Sequence, residues 1–372
     1  MVRVLHYVGY MKRGGMETMI MNLYRAIDTT EVQFDFAVHG DEKGDFADEI
    51  IARGGAFYHF PHMRKNPAAY RKAWRAFWKK NGHMYTAFHM HTNSLANFIA
   101  FEEACRAGVP VRIIHSHSSY AAKGKLQLIN NVLHALHQKK AKKMATHLFA
   151  CSDKAAAWLF GGMTLGKLKV QIIKNGVDLA QFRYDEQRRQ TLREALGLTG
   201  KKVIGHVGAF LPVKNHSFLV EVVEAAYRKD DAVRAVFVGD GPLFEQIREK
   251  INQKGLEDVI LLLGLRSDVN ELLSALDLFV MPSLYEGLPV SLVEVQANGL
   301  PALVSDSITR DVKFLDSFNY MALSDGPEAW GQCCIDLINA DIRTNDVQPV
   351  ADNGFDIKQT AEIYKNVLLN NG

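Results

Sequence analysis

Long apolar runs are missing from this sequence. No segment approaches the ~20 consecutive apolar residues that span a bilayer. The start, MVRVLHYVGY, turns polar too early for a secretory signal. Cysteine is scarce: Cys105, Cys151, Cys333 and Cys334 are the four, they lack metal-ligand spacing, and adjacent residues such as Cys333 and Cys334 rarely pair with each other. A reduced, cytoplasmic setting is expected. Neither G-x-G-x-x-G nor a Walker pattern occurs, which argues against dinucleotide and P-loop chemistry. Low-complexity tracts are absent too. With 48% apolar and 23% charged residues the chain is of globular composition, and 372 residues suffice for two domains, each with its own core.

What is present is unevenly charged. Residues 1–180 hold 25 Lys and Arg against 13 Asp and Glu, whereas the remainder holds 19 against 28. A basic half joined to an acidic half implies that the first faces something anionic. Its segment Asn66 to Lys80 predicts a helix with Tyr70, Trp74, Phe77 and Trp78 on one face and Arg71, Lys72, Arg75, Lys79 and Lys80 around the rest. Such a helix suits a membrane surface. The preferred reading is a crossover helix that packs its aromatic face on a sheet, leaving the basic face to meet anionic lipid.

Short apolar strands alternate with helices along the whole chain. Val2–Gly9, Val32–His39, Ala56–Phe60, Ala87–His91, Val111–His117 and His147–Cys151 form one series. After a polar stretch with a short helix, Gln181 to Lys202, a second series runs Val203–Val207, Ala235–Val238, Val259–Leu262, Leu278–Met281 and Ala302–Val304. This alternation predicts α/β architecture with two doubly wound parallel sheets. Two strands end in H-x-H, at His89/His91 and His115/His117, and the period of two puts each pair on one face. H-x-H pairs can ligate zinc, so a metallohydrolase is a rival reading, although no carboxylate ligand at recognisable spacing accompanies them.

The most informative stretch is MPSLYEGLPVSLVEVQANGLP, Met281 to Pro301. A buried strand stops at Pro282-Ser283, a loop carries Glu286 and Gly287, and Pro289 sits where a helix takes its first residue. The helix closes at Asn298-Gly299. The amides of residues 288 to 292, including Leu288 and Val290, then point at whatever lies above the sheet, and the helix N-terminus favours an anion. Glu286 and Glu294 flank that anion site, an arrangement suited to a phosphate bearing hydroxyl-rich groups. Elsewhere Gly14-Gly15 opens a helix after the first strand, where glycine lets a phosphate approach the backbone.

The string P-S-x-x-E-G-L-P-x-x-x-x-E resembles the retaining glycosyltransferases of family four. Supporting matches are Asn175-Gly176-Val177-Asp178, Gly208-Ala209-Phe210 with Lys214-Asn215, Gly239-Asp240-Gly241-Pro242, Gly264-Leu265-Arg266 and Asp277. The resemblance implies the GT-B architecture, two Rossmann-like domains facing across a cleft: residues 1–180, with the helical segment 355–372 returning to them, and a donor domain at 181–354. It implies that Glu286 meets hydroxyls of the donor sugar, Glu294 holds the ribose, Lys214 faces the diphosphate, and the backbone at Leu265 and Arg266 reads the base. Gly14 and Gly15 would close over the phosphates, and His117 or its neighbour His115 would lie near the sugar. No cofactor or metal is implied, since the D-x-D triplet with which another architecture holds a metal on the diphosphate is absent.

The expected activity is retaining transfer from a nucleoside diphosphate sugar, UDP-sugar by preference, to a glycan or lipid-linked acceptor in cell-surface polysaccharide synthesis. It would take place in the cytoplasm or at the inner face of the membrane, without nucleic acid as partner. The alternative is a nucleotide-sugar-binding protein of weak or no activity, because Ala209 stands where the family usually has Arg.

Overall fold

The computed structural model describes residues 1–12, 14–40, 44–118 and 127–369. It divides into two compact units, Met1–Gly176 with Ile357–Gly372, and Val177–Asp356.

In the first unit eight strands form one sheet: β1 (Val2–Tyr7), β2 (Val32–His39), β3 (Phe57–Phe60), β4 (Ala87–Thr92), β5 (Val111–Ser116), β6 (His147–Ala150), β7 (Thr164–Leu165) and β8 (Leu168–Ile172). Their order is β3-β2-β1-β4-β5-β6-β8-β7, parallel except for the β7–β8 hairpin. Both faces are covered, which is why these strands read as continuous apolar runs. On one face lies the helix Pro67–Asn81, started by Asn66, whose side chain accepts from the Ala69 amide at 2.9 Å. Tyr70, Trp74, Phe77 and Trp78 are all buried, and Trp74 stacks on Phe60 with ring centres 3.8 Å apart. The aromatic stripe is therefore core, and no part of it is left for a membrane. Two of the basic residues are also engaged: Arg71 pairs with Glu102 and Glu103, and Arg75 with Glu103. The opposite face is covered by the helices Gly15–Ala26 and Ile357–Leu369, the latter burying Ile357, Ala361, Tyr364 and Leu368.

The second unit holds β9 (Lys202–Val207), β10 (Val233–Val238), β11 (Ile260–Leu262), β12 (Leu278–Met281), β13 (Ala302–Ser305) and β14 (Phe318–Met321). The order is β11-β10-β9-β12-β13-β14 and every pair is parallel. Strand order reverses between β1 and β4 in one unit and between β9 and β12 in the other. In doubly wound sheets such a reversal opens a crevice at the carboxyl ends of the strands.

Candidate functional site

The loops that follow β9 and β10 are zipped together through backbone. The Gly208 amide donates to Val238 O at 2.9 Å, Phe210 N to Asp240 O at 3.0 Å and Leu243 N to Phe210 O at 3.1 Å. Gly239 (φ 141°) and Gly241 (φ 158°) are demanded by this contact: a Cβ on Gly239 would lie 2.0 Å from Gly208 O, and one on Gly241 2.8 Å from Phe210 N. They shape the site rather than leave space for a ligand. Gly287 is different, since nothing lies within 4 Å of where its Cβ would be.

The turn Pro212–Lys214 is fastened to the loop after β12. Leu284 N donates to Val213 O at 2.8 Å, and Asn215, held in the left-handed region at φ 56°, donates its side-chain amide to Pro282 O at 3.2 Å. These bonds bring together two residues far apart in the chain: Lys214 Nζ lies 2.7 Å from Glu286 Oε1, each side chain only 15% exposed. Glu286 also makes a parallel bridge to Ile308, and Ser307 donates to Ser283 O at 2.9 Å, so the loop is braced from both sides. The helix Val290–Ala297 begins as Pro289 permits, but Leu292 N closes on Pro289 O at 3.1 Å, so this amide serves the helix and not an anion. Glu294 is partly exposed yet densely surrounded, and desolvation lifts its carboxyl to about 7.

Beneath Lys214 sit two imidazoles that the motifs did not single out. His206 donates Nδ1–H to Val280 O at 2.8 Å, and His216 stacks on Phe210 at 4.0 Å. Burial, with the Lys214 charge adding to it, pushes both below the ordinary histidine value, His216 to about 4. A Cβ on Gly208 would stand 3.0 Å from His206 Nε2 and 3.3 Å from Lys214 Cε. Leu265 is 63% exposed, next to Gly264 at φ 61°. Arg266 is clamped by Asp268 through bonds of 2.8 and 2.5 Å, and Ala209 is exposed. Lys12 lies over the Tyr10 ring, and Arg13 lies outside the described residues. Asp277 lies at the other end of β12, held by Arg189 (2.5 Å), Arg193 (2.6 Å) and the Val203 amide (2.7 Å), and is a strut for the helix Glu186–Ala195.

In the first unit Gly14 caps the helix Gly15–Ala26 in extended conformation, and a Cβ on Gly15 would meet nothing within 4 Å. Neither backbone conformation requires glycine, but a Cβ on Gly14 would stand 2.5 Å from Glu17 Oε2. The two H-x-H pairs belong to a larger array. His6, His89, His91, His115 and His117 share one face of β1, β4 and β5, with His6 opposite His89 and His91 opposite His115 in the sheet register. His6 Nδ1 lies 2.9 Å from His91 Nε2, His91 Nδ1 2.8 Å from His117 Nε2, and His89 Nδ1 2.8 Å from the Tyr364 hydroxyl. All five are pushed far toward the neutral form by burial, His6 and His117 to about 3.

The profile described as Glycosyltransferase Family 4 matches residues 13–181, and that described as Glycosyl transferases group 1 matches residues 188–312. EpsF of Bacillus subtilis (strain 168), assigned as a glycosyltransferase, is 37% identical over 98% of this chain and 96% of its own. The chain belongs to glycosyltransferase family 4. Another relative of this family 4 glycosyltransferase is the UDP-Gal:alpha-D-GlcNAc-diphosphoundecaprenol alpha-1,3-galactosyltransferase of Escherichia coli, 30% identical over 58% of this chain and 57% of that protein. Among solved structures, HepE of Anabaena in complex with UDP superposes with a TM-score of 0.77 at 18% identity over all of both chains. The fold is GT-B, with one Rossmann-like sheet in each unit of the family 4 glycosyltransferase. Among its described residues no helix is long and apolar enough to cross a membrane.

Proposed function

We propose that this glycosyltransferase moves a sugar from a nucleoside diphosphate donor, a UDP-sugar, to a glycan or lipid-linked acceptor in cell-surface polysaccharide synthesis, with retention at the anomeric carbon. The observation that carries the reading is the Lys214–Glu286 pair at the switch point of the second sheet. One ammonium and one carboxylate, fixed side by side, match a ligand that is anionic at one point and rich in hydroxyls at the next. Lys214 and the N-terminus of the helix Val290–Ala297 stabilise the departing diphosphate electrostatically, with no metal cofactor required on it. Glu286 accepts from hydroxyls of the transferred sugar. Glu294 accepts from the ribose, and the exposed backbone around Leu265 and Arg266 reads the base. Leu288, Pro289 and Val290 present the loop end to the phosphates. In the first unit, His117 or His115 serves the sugar, and Gly14 and Gly15 the phosphates. The choice of UDP is supported by what relatives bind: the E. coli galactosyltransferase is named for UDP-Gal, and HepE was solved with UDP.

Titration calorimetry with UDP, GDP and ADP tests this. UDP should bind preferentially, unaffected by EDTA or added Mg²⁺, and Lys214→Ala should nearly abolish binding. Native affinity in the Lys214→Ala variant would place the pocket elsewhere.

A second reading, a sugar-nucleotide-binding protein that turns over slowly, is favoured by exposed Ala209, which offers no bidentate grip on phosphate. It predicts UDP binding without release of sugar from the donor. Ala209→Arg should tighten UDP binding if the space is open.

Membrane contact, if part of this function, shifts from the helix Pro67–Asn81 to Gln127–Met144. There Leu128, Ile129, Val132 and Leu136 form an exposed apolar stripe. Lys139, Lys142, Lys143 and Lys167 gather around an apolar groove at its end. That pattern suits an anionic bilayer.

A further inference from the structure

The histidine array contains more than glycosyl transfer uses. The transfer gives a role to His117 and His115 alone, and it leaves His6, His89 and His91 without one, although His91 Nδ1 lies 2.8 Å from His117 Nε2. They are 0%, 1% and 4% exposed, and His6 Nε2 and His89 Nε2 are buried without a partner. A buried polar atom left unpaired is costly, so the orphan Nε2 of His89 asks for an explanation. Each of the three rings offers a nitrogen within 4.8 Å of those of the other two. Two of them, His6 Nδ1 and His91 Nε2, already converge to 2.9 Å.

We propose that His6, His89 and His91 bind one transition-metal ion of the zinc and cobalt class. Three imidazoles and no oxygen ligand select this class over magnesium or calcium. Nitrogens about 2.0–2.1 Å from a tetrahedral ion stand roughly 3.3 Å apart, so His6 and His91 need part by only a few tenths of an ångström. The supporting group is in place: the Tyr364 hydroxyl holds His89 Nδ1 at 2.8 Å, which fixes the ring with Nε2 facing its neighbours. The neighbouring trio His91, His115 and His117 also brings its nitrogens within 4.8 Å, but its outer two rings have the sugar-side role and no such outer partner. No carboxylate belongs to the triad, so the fourth position goes to water or hydroxide, and hydroxide lowers the net charge. Because Tyr364 sits on the helix Ile357–Leu369, the ion would fasten that helix to the sheet.

The test is Co²⁺ titration of the metal-stripped full chain, followed by Zn²⁺ competition and thermal unfolding. One equivalent of Co²⁺ should give visible d–d absorption of a low-coordinate ion, Zn²⁺ should displace it, and Zn²⁺ should raise Tm. His6→Phe and His89→Phe should remove the band, their rings replaced by others that suit the surrounding Phe34, Phe36 and Phe149. Should either fail to fold, Tyr364→Phe decides, with an expected affinity loss of tenfold or more. His117→Phe should retain the band but at lower affinity, because His117 Nε2 is the hydrogen-bond partner of His91 Nδ1. Absence of one-equivalent binding overturns the proposal. So does a band that survives His6→Phe, native affinity in Tyr364→Phe, or loss in His117→Phe alone.

Discussion

Glu294 makes stability depend on pH through a single carboxyl. Its folded value of about 7 exceeds the 4.5 of an ordinary glutamate because desolvation disfavours the charged form. An acid whose folded value is raised binds its proton more tightly when folded. Stability from this group is therefore highest below pH 4.5, falls as pH rises toward 7, and is constant above. The loss amounts to about 3 kcal/mol. Glu294→Gln should accordingly be near neutral at pH 4.5 and stabilising at pH 8, as read by urea unfolding. On the proposed role, ribose hydroxyls donate to the ionised form, so native UDP affinity should increase more steeply between pH 6 and 8 than that of the variant. A flat native profile would remove Glu294 from the ribose. Gly239 makes a second residue-level test: Ala there meets Gly208 O and holds a φ of 141°, so Gly239→Ala should lose at least ~2 kcal/mol of stability by chemical denaturation. At this scale the motif gave the identity of Lys214 and Glu286 but not their pairing. That depends on Asn215 and Leu284 tying two loops, bonds that carry no sequence period. His6 was equally silent, a lone histidine in an apolar strand whose neighbours are supplied by register.

Among elements, two helices exchanged the roles that composition suggests. Pro67–Asn81 has Trp and Tyr in a stripe and buries it, whereas Gln127–Met144, lysine-rich in its last turns, leaves Leu128, Ile129, Val132 and Leu136 exposed. Periodicity tells which side chains share a face, never what covers that face. If the exposed stripe meets lipid, native protein should sediment with vesicles containing anionic phospholipid, and less so as salt rises. Leu128→Asp with Val132→Asp should abolish the effect, and binding indifferent to lipid charge and salt would exclude this helix. The alternating strands of both sheets were legible because a parallel strand covered on two faces must be apolar throughout. β14 was not: it is four residues long, pairs on one side only, and keeps Asn319, Tyr320 and Met321 half-buried. The β7–β8 hairpin is similarly peripheral, turning at Gly166 (φ 69°).

For the whole molecule, the decisive feature is that one unit is made from two stretches of chain and the other from one. Ile357–Leu369 supplies Ile357, Ala361, Tyr364 and Leu368 to the core formed by Val4, Phe34, Phe36 and Ile113. Removing residues 357–372 should expose that face, and hydrogen exchange should then show the loss in the first sheet while β9–β13 keep their protection. Uniform loss in both sheets would contradict it. The same arrangement bears on synthesis. A ribosome delivers residues 1–176 early, but the helix that covers their sheet emerges only after the whole of Val177–Asp356 has been made. The second unit is complete as soon as it leaves the exit tunnel, while the first must leave His6, His89 and the side of Phe34 that Tyr364 covers open to solvent or chaperone until then. At synthesis rates of about 5–20 residues per second, that wait lasts on the order of ten seconds or more. Its length is set by the size of the inserted unit and not by how fast either sheet folds.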